Sequence, residues 1–262
     1  EKGGKYFVMR NHSAIIGFSI PVNDSRRYHI IASHSDSPSF KIKENPEMSV
    51  GGAYVKLNVE RYGGMILSTW FDRPLSVAGR MIVRKNGKIL EKLVDADRDL
   101  VMIPSLAIHM NRDINGGYHY NVQKDMLPLY SGNGEKGSFI RMMAELAGVH
   151  PEDVLGQDLF LYNRMPGTVW GARNEFVSSP RLDDLQCAFA SLEGFLTADK
   201  KKNIAVHCVL DNEEVGSTTR QGAASAFLKD VLYRIHLALG GDHEGFLMAL
   251  AESFMISDDN AH

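Results

Sequence analysis

The stretch Val206-His207-Cys208-Val209-Leu210-Asp211-Asn212-Glu213-Glu214-Val215-Gly216-Ser217 constrains this chain most, because an apolar run stops there at three carboxylates. Ile204 to Leu210 is short, apolar and rich in β-branched residues, the pattern of a strand buried in a parallel sheet. Open α/β sheets hold their ligands beyond the carboxyl ends of the strands, which puts Asp211, Glu213 and Glu214 at the mouth of a site. Crowded carboxylates repel one another and lose hydration, and a divalent cation is the most direct compensation.

The same pattern occurs earlier, where the apolar run Tyr28 to Ala32 ends at Ser33-His34-Ser35-Asp36-Ser37-Pro38. A metal-bound imidazole gives its other N–H to a carboxylate, so His34 and Asp36 make a sensible ligand and orienting partner, although a lone histidine is more often structural. Pro180-Arg181-Leu182-Asp183-Asp184-Leu185 opens an amphipathic helix with Leu185, Ala188, Phe189, Leu192 and Leu196 on one face. Acids in a first turn also have a plain explanation in the helix macrodipole, at about 0.3–1 kcal/mol each. Asp258 and Asp259 form one more acidic cluster in Ser257-Asp258-Asp259-Asn260-Ala261-His262. One histidine with several carboxylates suits zinc, manganese or cobalt better than calcium, and a shared carboxylate can bridge two such ions. The expected chemistry is two-metal hydrolysis, with a free carboxylate as general base. No Gly-x-Ser-x-Gly elbow, phosphate-binding Gly-Lys loop or reactive cysteine setting occurs.

The remaining elements set the organisation. Ser13 to Ile20 reads as a strand, followed by a turn at Pro21-Val22-Asn23-Asp24. From about Gly63 the chain turns β-rich: Ile66 to Trp70, Leu75 to Val83 and Ile89 to Val94 are short β-like segments, with Asn86-Gly87 a hairpin signal. Ser138 is expected to cap a helix bearing Phe139, Met142, Met143, Leu146 and Ala147 on one face, closed by Gly148. Asp158 to Tyr162 gives another strand, and helices are expected at Ala226 to Leu239 and Glu244 to Phe254. Alternating strands and helices on both sides of a β-rich insertion imply an α/β fold, a mixed sheet flanked by helices, with a second domain inserted. The boundaries read as 1–64 and 172–262 for the α/β domain and 65–171 for the insertion.

With 262 residues and 44% hydrophobic content the chain can bury one large core or two smaller ones. A formal net charge of −3 with dispersed Lys and Arg offers no basic field, so nucleic acid is not an expected partner. No apolar run approaches the roughly 20 residues that span a bilayer. Cys187 and Cys208 lie in apolar surroundings without metal-type spacing, which reads as buried free thiols and a cytoplasmic setting.

Five motifs in order carry a family resemblance: Ser33-His34-Ser35-Asp36-Ser37-Pro38, Thr69-Trp70-Phe71-Asp72-Arg73, Pro180-Arg181-Leu182-Asp183-Asp184-Leu185, Asp211-Asn212-Glu213-Glu214-Val215-Gly216-Ser217 and Ser253-Phe254-Met255-Ile256-Ser257. Together they resemble the aspartyl aminopeptidases of peptidase family M18, which have a zinc-exopeptidase-like fold. The resemblance implies two zinc ions. His34 would be a terminal ligand of the first, Asp36 its orienting carboxylate and Asp183 the bridge. Asp259 would be the remaining ligand of the first zinc, Glu214 a ligand of the second, and Glu213 the general base. It further implies peptides with N-terminal Asp or Glu as substrates, and a homo-oligomer: a dimer formed through the insertion, within a larger shell. Ile108-His109-Met110-Asn111-Arg112 matches the setting of a histidine that reaches the neighbouring subunit's active site, which makes His109 a catalytic candidate. Asp258 and Asn260 depart from the small and apolar residues commoner there. The family pattern continues with a histidine ligand for the second zinc and with the residues that recognise the acidic side chain, so the chain is expected to be a fragment. Two other readings stay open: another di-metal aminopeptidase or deacylase of similar architecture, and a catalytically incomplete piece that acts only in assembly.

Overall fold

The computed structural model describes residues 1–23, 26–132 and 136–261; Asp24 of the expected turn and His262 of the last motif lie outside them. The chain forms two compact units, one from Glu1–Ser37 with Arg181–His262 and the other from Pro38–Pro180.

In chain order the elements are β1 (Lys5–Arg10), β2 (Ala14–Ser19), β3 (Tyr28–His34), β4 (Ser39–Val50), β5 (Tyr54–Tyr62), β6 (Pro74–Lys85), β7 (Lys88–Asp95), β8 (Val101–Met102), α1 (Val122–Asp125), β9 (Leu129–Gly132), α2 (Ser138–Ala147), β10 (Val154–Asn163), β11 (Thr168–Trp170) and β12 (Phe176–Ser178). After these come α3 (Leu182–Thr197), β13 (Ile204–Leu210), α4 (Phe227–Ala238), α5 (His243–Ala251) and β14 (Phe254–Ser257). No helix among the described residues is long and apolar enough to cross a membrane.

The first unit is a mixed sheet of order β1-β2-β13-β3-β14, in which β13 runs parallel to β3 and antiparallel to β2, and β14 runs parallel to β3. Ile204, Val206, Cys208 and Leu210 alternate along β13 into a core shared with Ile16, Ile30, Phe227, Leu232, Ile235 and Phe246. His207, between them in sequence, is buried and meets Ser191 of α3 at 3.0 Å through Nε2. Registers decide where the three parallel strands end: Leu210 pairs with His34 and Ser257 with Ala32. Residues just past three strands therefore emerge along one edge of the sheet, where this topology places ligands.

The helix periodicity of α3 holds, and the face that carries its large apolar residues is exposed. Asp184, Cys187 and Ser191 are buried, whereas Leu185, Phe189, Leu192 and Leu196 are 38–65% exposed. The phase is set by what the sheet offers. His207 needs a hydrogen-bond partner and finds Ser191, while the ring of Phe195 stacks on the imidazole at 5.8 Å. At the end of α5 the expected helix stops early, and Phe254 starts β14. Cys187 and Cys208 are buried and free, as expected, and burial pushes both thiols up to about 12.

The second unit is antiparallel, with order β10-β4-β5-β9-β8-β6-β7, and an added pairing of β10 with β6 closes the sheet on itself. Its core holds Phe40, Leu57, Val59, Leu75, Val77, Met81, Phe139, Met143 and Leu159. The β6–β7 hairpin turns at Asn86 and Gly87, both at positive φ (52° and 72°), as a type I′ turn demands. The unit begins at Pro38 and ends at Pro180, outside the 65–171 read from the sequence, because β4 and β5 pair with β10 and β9 of this sheet. β11 and β12 add a separate two-stranded ribbon.

Helix α2 ends at Gly148 as expected, with φ 69° and its N–H on the Ala144 and Glu145 carbonyls. Its start differs. Ser138 makes no backbone cap; the Glu47 carboxylate accepts from the backbone N–H groups of Gly137 and Phe139 and from the Ser138 hydroxyl. A carboxylate there satisfies orphan donors and meets the positive end of the helix dipole. Glu47→Ala is expected to lower unfolding stability by about 1–2 kcal/mol, and Ser138→Ala by less, in urea titrations followed by circular dichroism.

Candidate metal centre

The last residue of β3 is the centre of the site. The imidazole of His34 is buried, with Nδ1 at 3.1 Å from the Asp36 carbonyl and 3.3 Å from the Asp36 carboxylate. With Nδ1–H engaged there, Nε2 presents a lone pair toward three more carboxylates: Asp183 Oδ1 at 3.3 Å, Asp259 Oδ1 at 3.6 Å and Glu213 Oε2 at 4.0 Å. A lone pair facing carboxylate oxygens is repulsive unless a proton or a cation lies between them.

Each acid reaches this point by a different local device. Asp36 turns back under the loop after β13, where its two carboxylate oxygens accept the backbone N–H groups of Glu213 and Glu214 at 3.0 and 3.2 Å. Asn212, just before them, adopts a left-handed conformation (φ 63°), and its carbonyl accepts from the N–H groups of Val215 and Ser217. Arg181 is left-handed as well (φ 61°), immediately before the Asp183 segment. Asp183 and Asp184 lie inside the bounds of α3 but have non-helical dihedrals, so a first-turn dipole does not account for them. Asp183 is instead directed at His34, and its carbonyl accepts from the Ser37 hydroxyl at 2.9 Å. Asp259 follows β14, and the N–H of Asp258 is tied to the Ala32 carbonyl of β3 at 2.8 Å.

The electrostatics follow from the crowding. Burial opposes protonation of His34, but the carboxylates of Asp184, Asp36, Glu213 and Asp259 outweigh it and raise its pKa. Burial, then the Asp259 charge, raises Asp183. Burial, then the charges of Glu213, Asp183 and Asp36, pushes Glu214 up to about 7. In the absence of a cation the cluster holds protons that carboxylates at the surface would release.

His34, Asp183, Asp184 and Asp259 each offer a ligand atom within 4.8 Å of the others. One imidazole nitrogen and several carboxylate oxygens form a donor set that suits zinc or manganese. Asp184 is placed differently from the rest: it is fully buried, and its carboxylate accepts the His34 backbone N–H at 3.0 Å and the Asn260 side-chain amide at 3.4 Å. It supports the site from below. Sequence reasoning passed over Asp184 and Asn260, and only the doubled acid at 183–184 hinted at the former. Asp211 makes a turn in which its carboxylate accepts the N–H of Asn212. His109 is carried by the second unit, on the exposed turn Ile108–Met110.

The strand-end placement and the donor set define a candidate metal site at the edge of an α/β sheet. The family profile described as aminopeptidase I zinc metalloprotease (M18) matches residues 1–262, and the chain belongs to that family. A probable M18 family aminopeptidase 2 of Clostridium acetobutylicum is 47% identical over 270 residues, covering 100% of this chain and 62% of that protein. Among solved structures, mApe1 of Chaetomium thermophilum has a TM-score of 0.89 at 31% identity, covering 100% of this chain and 64% of the other. The S. cerevesiae mApe1 dodecamer has a TM-score of 0.80 at 26% identity, covering 100% and 61%. The chain thus spans 62% of the length of the curated relatives it matches.

The raised values of Glu214, His34 and Asp183 all act in one direction on stability. Each group binds its proton more tightly in the folded state, so the stability it contributes at low pH is lost as pH rises through its folded value. The metal-free protein is expected to melt at falling temperatures as pH rises from about 4.5 toward about 7, the unfolded and folded values of Glu214. Added zinc should abolish that fall. Melting curves at a series of pH values, with chelator and with zinc, check both; a chelated protein that grows more stable over this range would contradict the geometry.

Proposed function

We propose that the protein containing this chain is a zinc-dependent aminopeptidase that removes N-terminal Asp or Glu from peptides. The observation that carries the reading is the lone-pair face of His34, opposed at 3.3–4.0 Å by the carboxylates of Asp183, Asp259 and Glu213, in a chain of the M18 family. The acidic specificity rests on the motif resemblance to aspartyl aminopeptidases.

In this reading His34, Asp183 and Asp259 would hold one zinc, and Asp183 with Glu214 would serve a second. Bound zinc supplies Lewis acidity toward the scissile carbonyl and lowers the pKa of water. The chain's own groups do the rest. Asp36 fixes the imidazole tautomer by taking Nδ1–H, which leaves Nε2 free to ligate. The same carboxylate pins the backbone of residues 213 and 214, which fixes the base from which their side chains leave. Glu213, with its side chain half exposed, is the general base and holds the proton at its carboxylate for the leaving amine. Glu214 has a proton to lose before it can ligate, so zinc affinity should rise with pH through about 7.

The inserted unit is proposed to mediate dimerisation, with His109 serving the neighbour's site. The dodecameric state named for the S. cerevesiae relative supports a homo-oligomer. A cytoplasmic location is in keeping with two free, buried thiols.

Glu213→Gln in the intact protein is expected to cut turnover of an aspartyl substrate by about 10²–10⁴-fold while zinc content stays at the wild-type level. Retained turnover would remove Glu213 from the role of base. A panel of aminoacyl substrates tests the specificity, with preference for a neutral or basic residue, or for an acyl group, pointing to another di-metal exopeptidase or deacylase. Mixing a His109→Ala protein with a Glu213→Gln protein should restore activity if His109 works across subunits, measured after exchange of subunits. Without rescue, His109 has no such role.

A further inference from the structure

Asn260 connects the segments that carry His34, Asp183 and Asp259. Its side-chain amide donates to the Leu182 carbonyl at 2.8 Å and reaches the Asp184 carboxylate at 3.4 Å. Its own backbone N–H donates to Asp259 Oδ1 at 2.8 Å. Asp184 passes the tie on, because its other carboxylate oxygen accepts the His34 backbone N–H at 3.0 Å. Leu182 and Asp184 flank Asp183 in the chain. One half-buried amide therefore spans the Asp259 loop, the Asp183 segment and, through Asp184, the end of β3.

Such a tie answers a physical need. Asp259 and Asp183 repel each other, and the Asp259 loop leaves β14, a four-residue strand that is exposed along its whole length. Besides the Asp258 N–H on the Ala32 carbonyl, the Asn260 amide is the tie that joins this loop to the Asp183 segment. A site that is ordered in advance spares the ion the cost of ordering the loop, and ligand-supporting groups of this kind change metal affinity by about 10–100-fold.

We propose that Asn260 is a positioning residue of the metal centre, which holds Asp259 against Asp183 and His34 before the ion binds. The inference rests on the metal-site reading above. The test compares wild type, Asn260→Leu and Asn260→Gln in the intact protein, with zinc affinity measured against a chromophoric chelator. The ligand-field spectrum of the cobalt-loaded protein and the melting temperature of the chelated protein are recorded alongside. The leucine variant should bind zinc at least about tenfold more weakly and show an altered cobalt spectrum, with the metal-free melting temperature unchanged. The glutamine variant, which keeps the donor, should fall between the two. Unchanged affinity and spectrum overturn the proposal, as does a leucine variant that melts earlier yet binds zinc as tightly as wild type. If the leucine variant does not fold, Asn260→Ser carries the same comparison. Wild-type protein that takes up no zinc overturns the site reading and this inference together.

Discussion

The structure of the first unit depends on one unfavourable arrangement: a buried imidazole with its second nitrogen turned toward carboxylates of Asp183, Asp259 and Glu213. Like charges at this separation do not gather without cause. The raised values of His34, Asp183 and Glu214 follow from that crowding, which a cation would relieve. Several hydrogen bonds around the site oppose that repulsion. Asp36 ties the imidazole to the backbone of Glu213 and Glu214, and Asp184 ties the end of β3 to the start of α3.

Parallel register makes the arrangement possible. β3, β13 and β14 run the same way, and the pairs Leu210 with His34 and Ser257 with Ala32 bring their carboxyl ends level. Groups distant in the chain (34, 213 and 259) then leave the sheet at one edge. Asp183 comes instead from the start of α3, which departs from helical geometry at Asp183 and Asp184. The core beneath holds the strands to that register through Val206, Cys208, Phe227 and Phe246.

In the second unit the governing constraint is different. An antiparallel sheet that closes on itself through the β10–β6 pairing leaves few free edges, and its interior is filled by side chains such as Phe40, Leu57 and Met81. Closure draws β4 and β5 into the unit. The pairing partners of those strands, more than a hundred residues away for β4, lie in β9 and β10.

Much was legible in the residues themselves. The acids that end the Ile204–Leu210 strand, the His-x-Asp pair, the type I′ turn at Asn86-Gly87, the Gly148 cap and the α/β class with a β-rich insertion all depend on residue types a few positions apart. Short-range order of this kind follows from backbone preference and side-chain period, which a sequence carries in full. Other features were decided by partners far along the chain. Helix α3 turns Asp184, Cys187 and Ser191 inward, with Ser191 against His207, and leaves its leucines exposed. The cap of α2 came from Glu47, 90 residues before it, and not from the adjacent serine. The unit boundary moved to Pro38 because hydrogen bonding, not composition, assigns a strand to a sheet. Residue type could nominate His34, Asp183, Glu213 and Asp259, but only tertiary packing could bring them to one point and fit Asp184 and Asn260 between them.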